Sequence, residues 1–121
     1  MNQHTEDSSV LLHICSDAEW AVAVESGTRV PASFAAEGFV HLSAPSQVHL
    51  PANRLFAGRT DLVLLRLDPD RLGSPVRWEA GVPDDPDSMR FPHLYGPLPV
   101  DAVTAVLEYR PDESGRFPAW S

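Results

Sequence analysis

Short runs in which apolar and polar residues alternate dominate this chain, separated by breaks at proline and glycine, and only a few stretches carry helical spacing. Val10-Leu11-Leu12-His13-Ile14-Cys15 reads as a first strand, with Leu11, His13 and Cys15 on one face and Leu12 and Ile14 on the other. Ser16-Asp17-Ala18-Glu19 has the form of a capping box, which predicts a helix over residues 17–25 that buries Trp20 and Val24 and stops at Ser26-Gly27. Residues 31–37 predict a short helical turn ended by Gly38, and residues 39–42 a second strand. Ser43-Ala44-Pro45 looks like a cap with proline at the first helical position, opening a helix that should run to Phe56. Pro51 falls inside that span, which is expected either to split into two helices or to kink at a cost of about 3 kcal/mol.

Further along, residues 61–68 form the strongest strand, and Leu62 to Leu65 are apolar on both faces, the mark of a central position. In Pro75-Val76-Arg77-Trp78-Glu79 the alternation sends Val76 and Trp78 one way and Arg77 and Glu79 the other. Residues 81–88 make an acidic, proline-rich loop, read as a mobile flap over a cleft, and residues 103–109 make the last strand. The expected architecture is α+β: a single compact domain over residues 10–110, built on a mixed, split β-sheet with short flanking helices, between a flexible lead (1–9) and a Pro/Gly tail (111–121).

The balance of 17 acidic against 9 basic residues gives a net charge of −8, which argues against nucleic acid and against an anionic membrane surface as partners. A small neutral or cationic substrate is easier to accommodate, and a nucleotide only if local arginines and backbone N–H groups outweigh the global field. One cysteine cannot form an internal disulfide, and no apolar leader is visible, so the expected compartment is the cytoplasm. Monomer and homodimer are both compatible with the sequence.

Two strands carry polar pairs of matching parity. In Glu37-Gly38-Phe39-Val40-His41-Leu42-Ser43, His41 and Ser43 share a face; in Phe91-Pro92-His93-Leu94-Tyr95, framed by Gly96-Pro97-Leu98-Pro99, His93 and Tyr95 do. His41 and His93 are the candidate acid–base groups, because imidazoles titrate near neutral pH. Glu79 beside Trp78 is the third catalytic candidate, a carboxylate whose charged form a partly dry pocket would disfavour. His13, Ser43, Tyr95, Arg77 and Arg90 are the candidate substrate-binding residues. Each also has a plain structural explanation: a core histidine satisfied by a carbonyl, a half-buried aromatic, a strand carboxylate paired with Arg77 or Arg90, a helix cap at Ser43. No metal site is expected, since His13, His41 and His93 lack short ligand spacing, and no glycine-rich phosphate loop is present.

Glu-Gly-Phe-Val-His-Leu-Ser, Ala52-Asn53-Arg54-Leu55-Phe56, Asp61-Leu62-Val63-Leu64-Leu65 and Phe-Pro-His-Leu-Tyr-Gly-Pro-Leu, in that order and spacing, closely resemble the bacterial family known as domain of unknown function 952, over residues 12–109. The resemblance implies a small relative of the ADP-ribosyltransferase fold, with a split sheet around an NAD-binding cleft. On that likeness NAD is the implied cofactor, Glu79 would hold ribose hydroxyls, His13 and His41 would bond ribose or phosphate, and His93 and Tyr95 would line the floor. The chain lacks the Glu-x-Glu or Arg-Ser-Glu set of that superfamily. Two other functions stay open from the residues alone. One is a cofactor-free isomerase, lyase or cyclase using His41 and His93, and the other is a small-molecule binder without catalysis.

Overall fold

Leu62, Val63, Leu64 and Leu65 are all buried, and burial on both faces puts their strand in the middle of a sheet. The computed structural model describes residues 10–80 and 89–119, so the predicted lead at 1–9 and the flap at 81–88 lie outside the described residues. The chain runs through β1 (Leu11–Ser16), α1 (Asp17–Ser26), β2 (Thr28–Arg29), α2 (Phe34–Glu37), β3 (Val40–His41), α3 (His49–Phe56), β4 (Leu62–Leu67), β5 (Val76–Ala80), β6 (Arg90–Leu94), β7 (Leu98–Pro99) and β8 (Val103–Tyr109). These form two three-stranded sheets, ordered β1-β4-β8 and β3-β6-β5, and a small β2-β7 ribbon.

Every one of these pairings is antiparallel, which corrects the expectation of a mixed sheet. A parallel pair needs a crossover over the sheet face, whereas β5 and β6 meet here as consecutive reversing neighbours. The two larger sheets are stitched together where Leu12 and Ser43 exchange backbone hydrogen bonds of 2.8 Å each way. Strand parity then sorts the apolar residues into two cores. Leu11, Cys15, Val63 and Leu65 join Val40, Leu42 and Leu94 on one side, with Val76 and Trp78 packed against them. Leu12, Leu62, Leu64 and Tyr109 lie on the other.

The capping box forms as the sequence specifies: Ser16 Oγ accepts from the Glu19 N–H at 3.0 Å, and Glu19 Oε1 accepts from the Ser16 N–H at 2.8 Å. Gly27 ends α1 with φ 90°, a conformation that favours glycine. The buried face differs from the expected one. Ala23 is the buried residue and Trp20 is half-buried against the first core, while Val24, one residue further round, is exposed.

The third helix also differs. It begins at His49 rather than at Pro45, so Pro51 sits in its first turn, where a missing N–H costs no helical bond, and neither a split nor a kink occurs. Ser43 is therefore not its cap; its backbone is occupied by the bridge to Leu12, and Gln47 Oε1 takes the Ala44 N–H at 2.9 Å instead. After β8 the chain folds back. Phe117 is buried against Tyr109 with ring centroids 4.6 Å apart, and Asn53 bonds both backbone groups of Phe117. No helix among the described residues is long and apolar enough to cross a membrane.

Candidate functional site

The β3-β6-β5 register sets His41 directly opposite His93 and His93 directly opposite Arg77. Residues opposite one another project to the same face, so alternation along β5 and β6 brings Glu79 and Tyr95 to that face as well. Their side chains form one network. His93 Nδ1 donates to Glu79 Oε1 at 2.8 Å, and the Tyr95 hydroxyl donates to the same oxygen at 2.6 Å. Phe39 lies flat on the His93 ring, centroids 4.0 Å apart and planes 12° from parallel, and meets His41 edge-on at 4.9 Å. The His41 and His93 rings are 5.4 Å apart at 80°.

Electrostatics divides these groups. Hydrogen bonds from Tyr95 and then His93 hold the Glu79 carboxyl below its ordinary range. That reverses the expected direction, because Glu79 faces water and two donors instead of sitting in a dry pocket. Burial pulls His93 below the ordinary imidazole value, against the opposing pull of Glu79. His41 is 56% exposed in its side chain, against 8% for His93, and its Nε2 bonds Glu37 Oε1 at 2.8 Å.

His13 enters from the other sheet. Its Nδ1 is 2.7 Å from the His41 carbonyl, which can only accept, so Nδ1 carries the proton and Nε2 is left to accept from Arg29 Nε at 3.1 Å. Both bonds fit one neutral tautomer. Burial first, partly offset by the His41 carbonyl and reinforced by the Arg29 cation, pulls His13 down to about 4. Arg29 is itself only 11% exposed, and its other end lies 3.6 Å from Glu19, the capping-box residue of α1. His13, Arg29, His41, Ser43, Phe39 and His93 all line a single cavity of about 540 Å³, with Arg54, Phe56 and Phe91 further along its wall.

Residues 14–106 match the family described as a protein of unknown function, DUF952. The chain belongs to the DUF952 family. It is 37% identical to protein CC0527 from Caulobacter crescentus in that protein's crystal structure, a match covering 90% of this chain and 93% of that one, with a TM-score of 0.78. The solution NMR structure of CC0527 gives 38% identity, 89% and 90% coverage and a TM-score of 0.73. No curated protein matches. The DUF952 chain is therefore a small α+β domain of several antiparallel sheets whose family carries no assigned function.

Of the eight side chains singled out in the sequence of this DUF952 protein, His13, His41, Ser43 and His93 reach the cavity wall. Glu79 and Tyr95 stand behind His93, one hydrogen bond removed. Arg77 and Arg90 are not on the cavity wall: the Arg77 guanidinium lies over the Tyr95 ring, 5.0 Å from its centroid, and Arg90 donates to the Trp78 carbonyl at 3.3 Å. Glu79 pairs with neither arginine as its nearest hydrogen-bond partner. Cys15 is buried and its thiol is pushed up to about 11, chiefly by that burial, so it is no nucleophile. Among the described residues no group of three His, Cys, Asp or Glu side chains is placed to hold a metal ion. Sequence reasoning passed over Arg29, Arg54, Glu37 and Phe39. Two signals were available: Phe39 has the parity of His41, and Glu37 opens the same motif.

Proposed function

We propose that the cavity binds a nucleotide-type small molecule and that the protein is an enzyme acting on it, with NAD the form suggested by the ADP-ribosyltransferase likeness. One observation carries the reading: in a protein of net charge −8, the cavity wall combines Arg29 and Arg54 with three histidines and the rings of Phe39, Phe56 and Phe91. Cations at the wall suit phosphate, and aromatic faces suit a base. Arg29 is prepared for the first role, because a nearly buried guanidinium already oriented by His13 loses little freedom when it meets an anion. The likeness to an NAD cleft draws further support from the meeting of two sheets at the Leu12–Ser43 bridge beside the cavity.

The test is a thermal-shift series with AMP, ADP-ribose and NAD against adenosine, on the natural chain and on Arg29→Met. At a hundredfold excess over Kd a ligand adds about 2.7 kcal/mol, a shift of several degrees. The phosphorylated ligands should raise Tm, adenosine should do so far less, and Arg29→Met should abolish the difference. Equal shifts from adenosine and AMP, or none from any nucleotide, would refute the reading. Release of nicotinamide from NAD would assign the transferase-like reaction.

A further inference from the structure

Each of two facing imidazoles in the cavity is backed by its own carboxylate: His93 Nδ1 by Glu79 Oε1 and His41 Nε2 by Glu37 Oε1, both at 2.8 Å. The nitrogens left over are His93 Nε2 and His41 Nδ1, on rings 5.4 Å apart. The two pairs differ in setting. His93 is 8% exposed, stacked on Phe39 and fixed by Glu79, whereas His41 stands 56% exposed at the rim. Unequal environments for paired titratable groups divide the roles of acid and base, and burial favours the neutral form of the His93 ring. Arg29 lines the same cavity and supplies a fixed positive charge.

We infer that His93 and His41 are the base and the acid for cleavage of a ribonucleotide phosphodiester of small size, a dinucleotide or cyclic nucleotide, in this cavity; the inference rests on the nucleotide reading above. Displacement at phosphorus has an entering and a leaving oxygen roughly in line, so it calls for two proton-transfer groups on either side of one bound anion, with a cation for the charge that builds between them. His93 Nε2 takes the proton of the ribose 2′-hydroxyl, and the 2′-oxygen forms a bond to phosphorus. The bond from phosphorus to the leaving oxygen breaks with its electron pair, and that oxygen takes the proton from His41. The products are a 2′,3′-cyclic phosphate and an alcohol, with His93 now protonated and His41 neutral. Addition of water to the cyclic phosphate with the roles exchanged restores both rings. The acidic surface favours small esters over polymeric nucleic acid.

The decisive experiment varies the leaving group. The full chain is incubated with the dinucleotide adenylyl-adenosine and with the nitrophenyl ester of adenosine 3′-phosphate, and cyclic phosphate is followed by phosphorus NMR. The natural protein should cleave both. His41→Ala should lose roughly a hundredfold or more on the dinucleotide and far less on the nitrophenyl ester, whose leaving group departs without a proton. His93→Ala, and the more conservative His93→Asn in case the former fails to fold, should lose both activities. Binding of AMP without cleavage of either ester would overturn this inference and leave the nucleotide reading intact. So would equal losses on both esters in His41→Ala, or activity surviving both changes at His93. Failure to bind AMP at all would overturn both.

Discussion

A neutral imidazole that donates from one nitrogen and accepts at the other cannot take up a proton without losing a bond, and His13 is held in that way between the His41 carbonyl and Arg29. Its value in the folded chain, about 4, lies below the ordinary 6.5, so between those limits the unfolded chain binds more protons and folding weakens as the pH falls. The loss on going from neutral pH to pH 4 amounts to roughly 3 kcal/mol from this group. Urea titrations at a series of pH values should therefore show a shallower acid loss in His13→Gln than in the natural chain; parallel curves would contradict the assignment. The histidines could be picked out beforehand because strand alternation places side chains without knowledge of the fold. Arg29 could not. It lies in a two-residue strand with no period to read, and its contact with His13 is created by tertiary structure across 16 residues of chain. Gly96, in the His-Leu-Tyr-Gly-Pro-Leu motif, has a steric reason that was equally hidden: a Cβ there would lie 2.7 Å from Ser74 Cβ and nearer still to its hydroxyl. Gly96→Ala should cost on the order of 1–3 kcal/mol in denaturant unfolding, and the double change with Ser74→Gly should recover most of it.

Elements whose signal is local were the readable ones. The capping box needs only Ser16 and Glu19, three residues apart, and β4 announces its central place by four consecutive apolar residues. Replacing Ser16 by Ala should therefore destabilise the domain by about 1 kcal/mol. The third helix was misjudged because Pro45 carries the local signature of a helix start, while the backbone before it is claimed by a bridge to Leu12 that no local pattern reveals. The shift of four residues has a measurable consequence. Pro51→Ala should change stability by a few tenths of a kcal/mol at most, because residues in the first turn have no intrahelical acceptor for their N–H. Leu55→Pro, in the last turn of the same helix and on an exposed position, should cost about 3 kcal/mol. Equal effects at the two sites would place the helix start back at Pro45.

At the scale of the molecule, two electrostatic fields of opposite sign meet. The chain as a whole carries −8, while among the described residues the cavity wall presents the guanidinium groups of Arg29 and Arg54 beside the carboxylate of Glu37. On the proposed nucleotide reading, an approaching ligand is repelled from a distance and attracted only on arrival. Salt separates the two effects, since the Debye length shrinks from about 30 Å at 0.01 M to about 10 Å at 0.1 M and screens the distant charges more than a nearly buried contact. Arg29, 11% exposed, belongs to the second kind. The association rate of AMP, measured by stopped flow, should therefore rise as salt is added over this range, and the dissociation rate should change little. A typical cationic binding surface behaves in the opposite manner, capturing anions faster at low salt. An association rate that falls with added salt would mean that the cavity's positive field reaches beyond its mouth and outweighs the acidic surface, and the account of a locally cationic site within a repelling molecule would have to be abandoned.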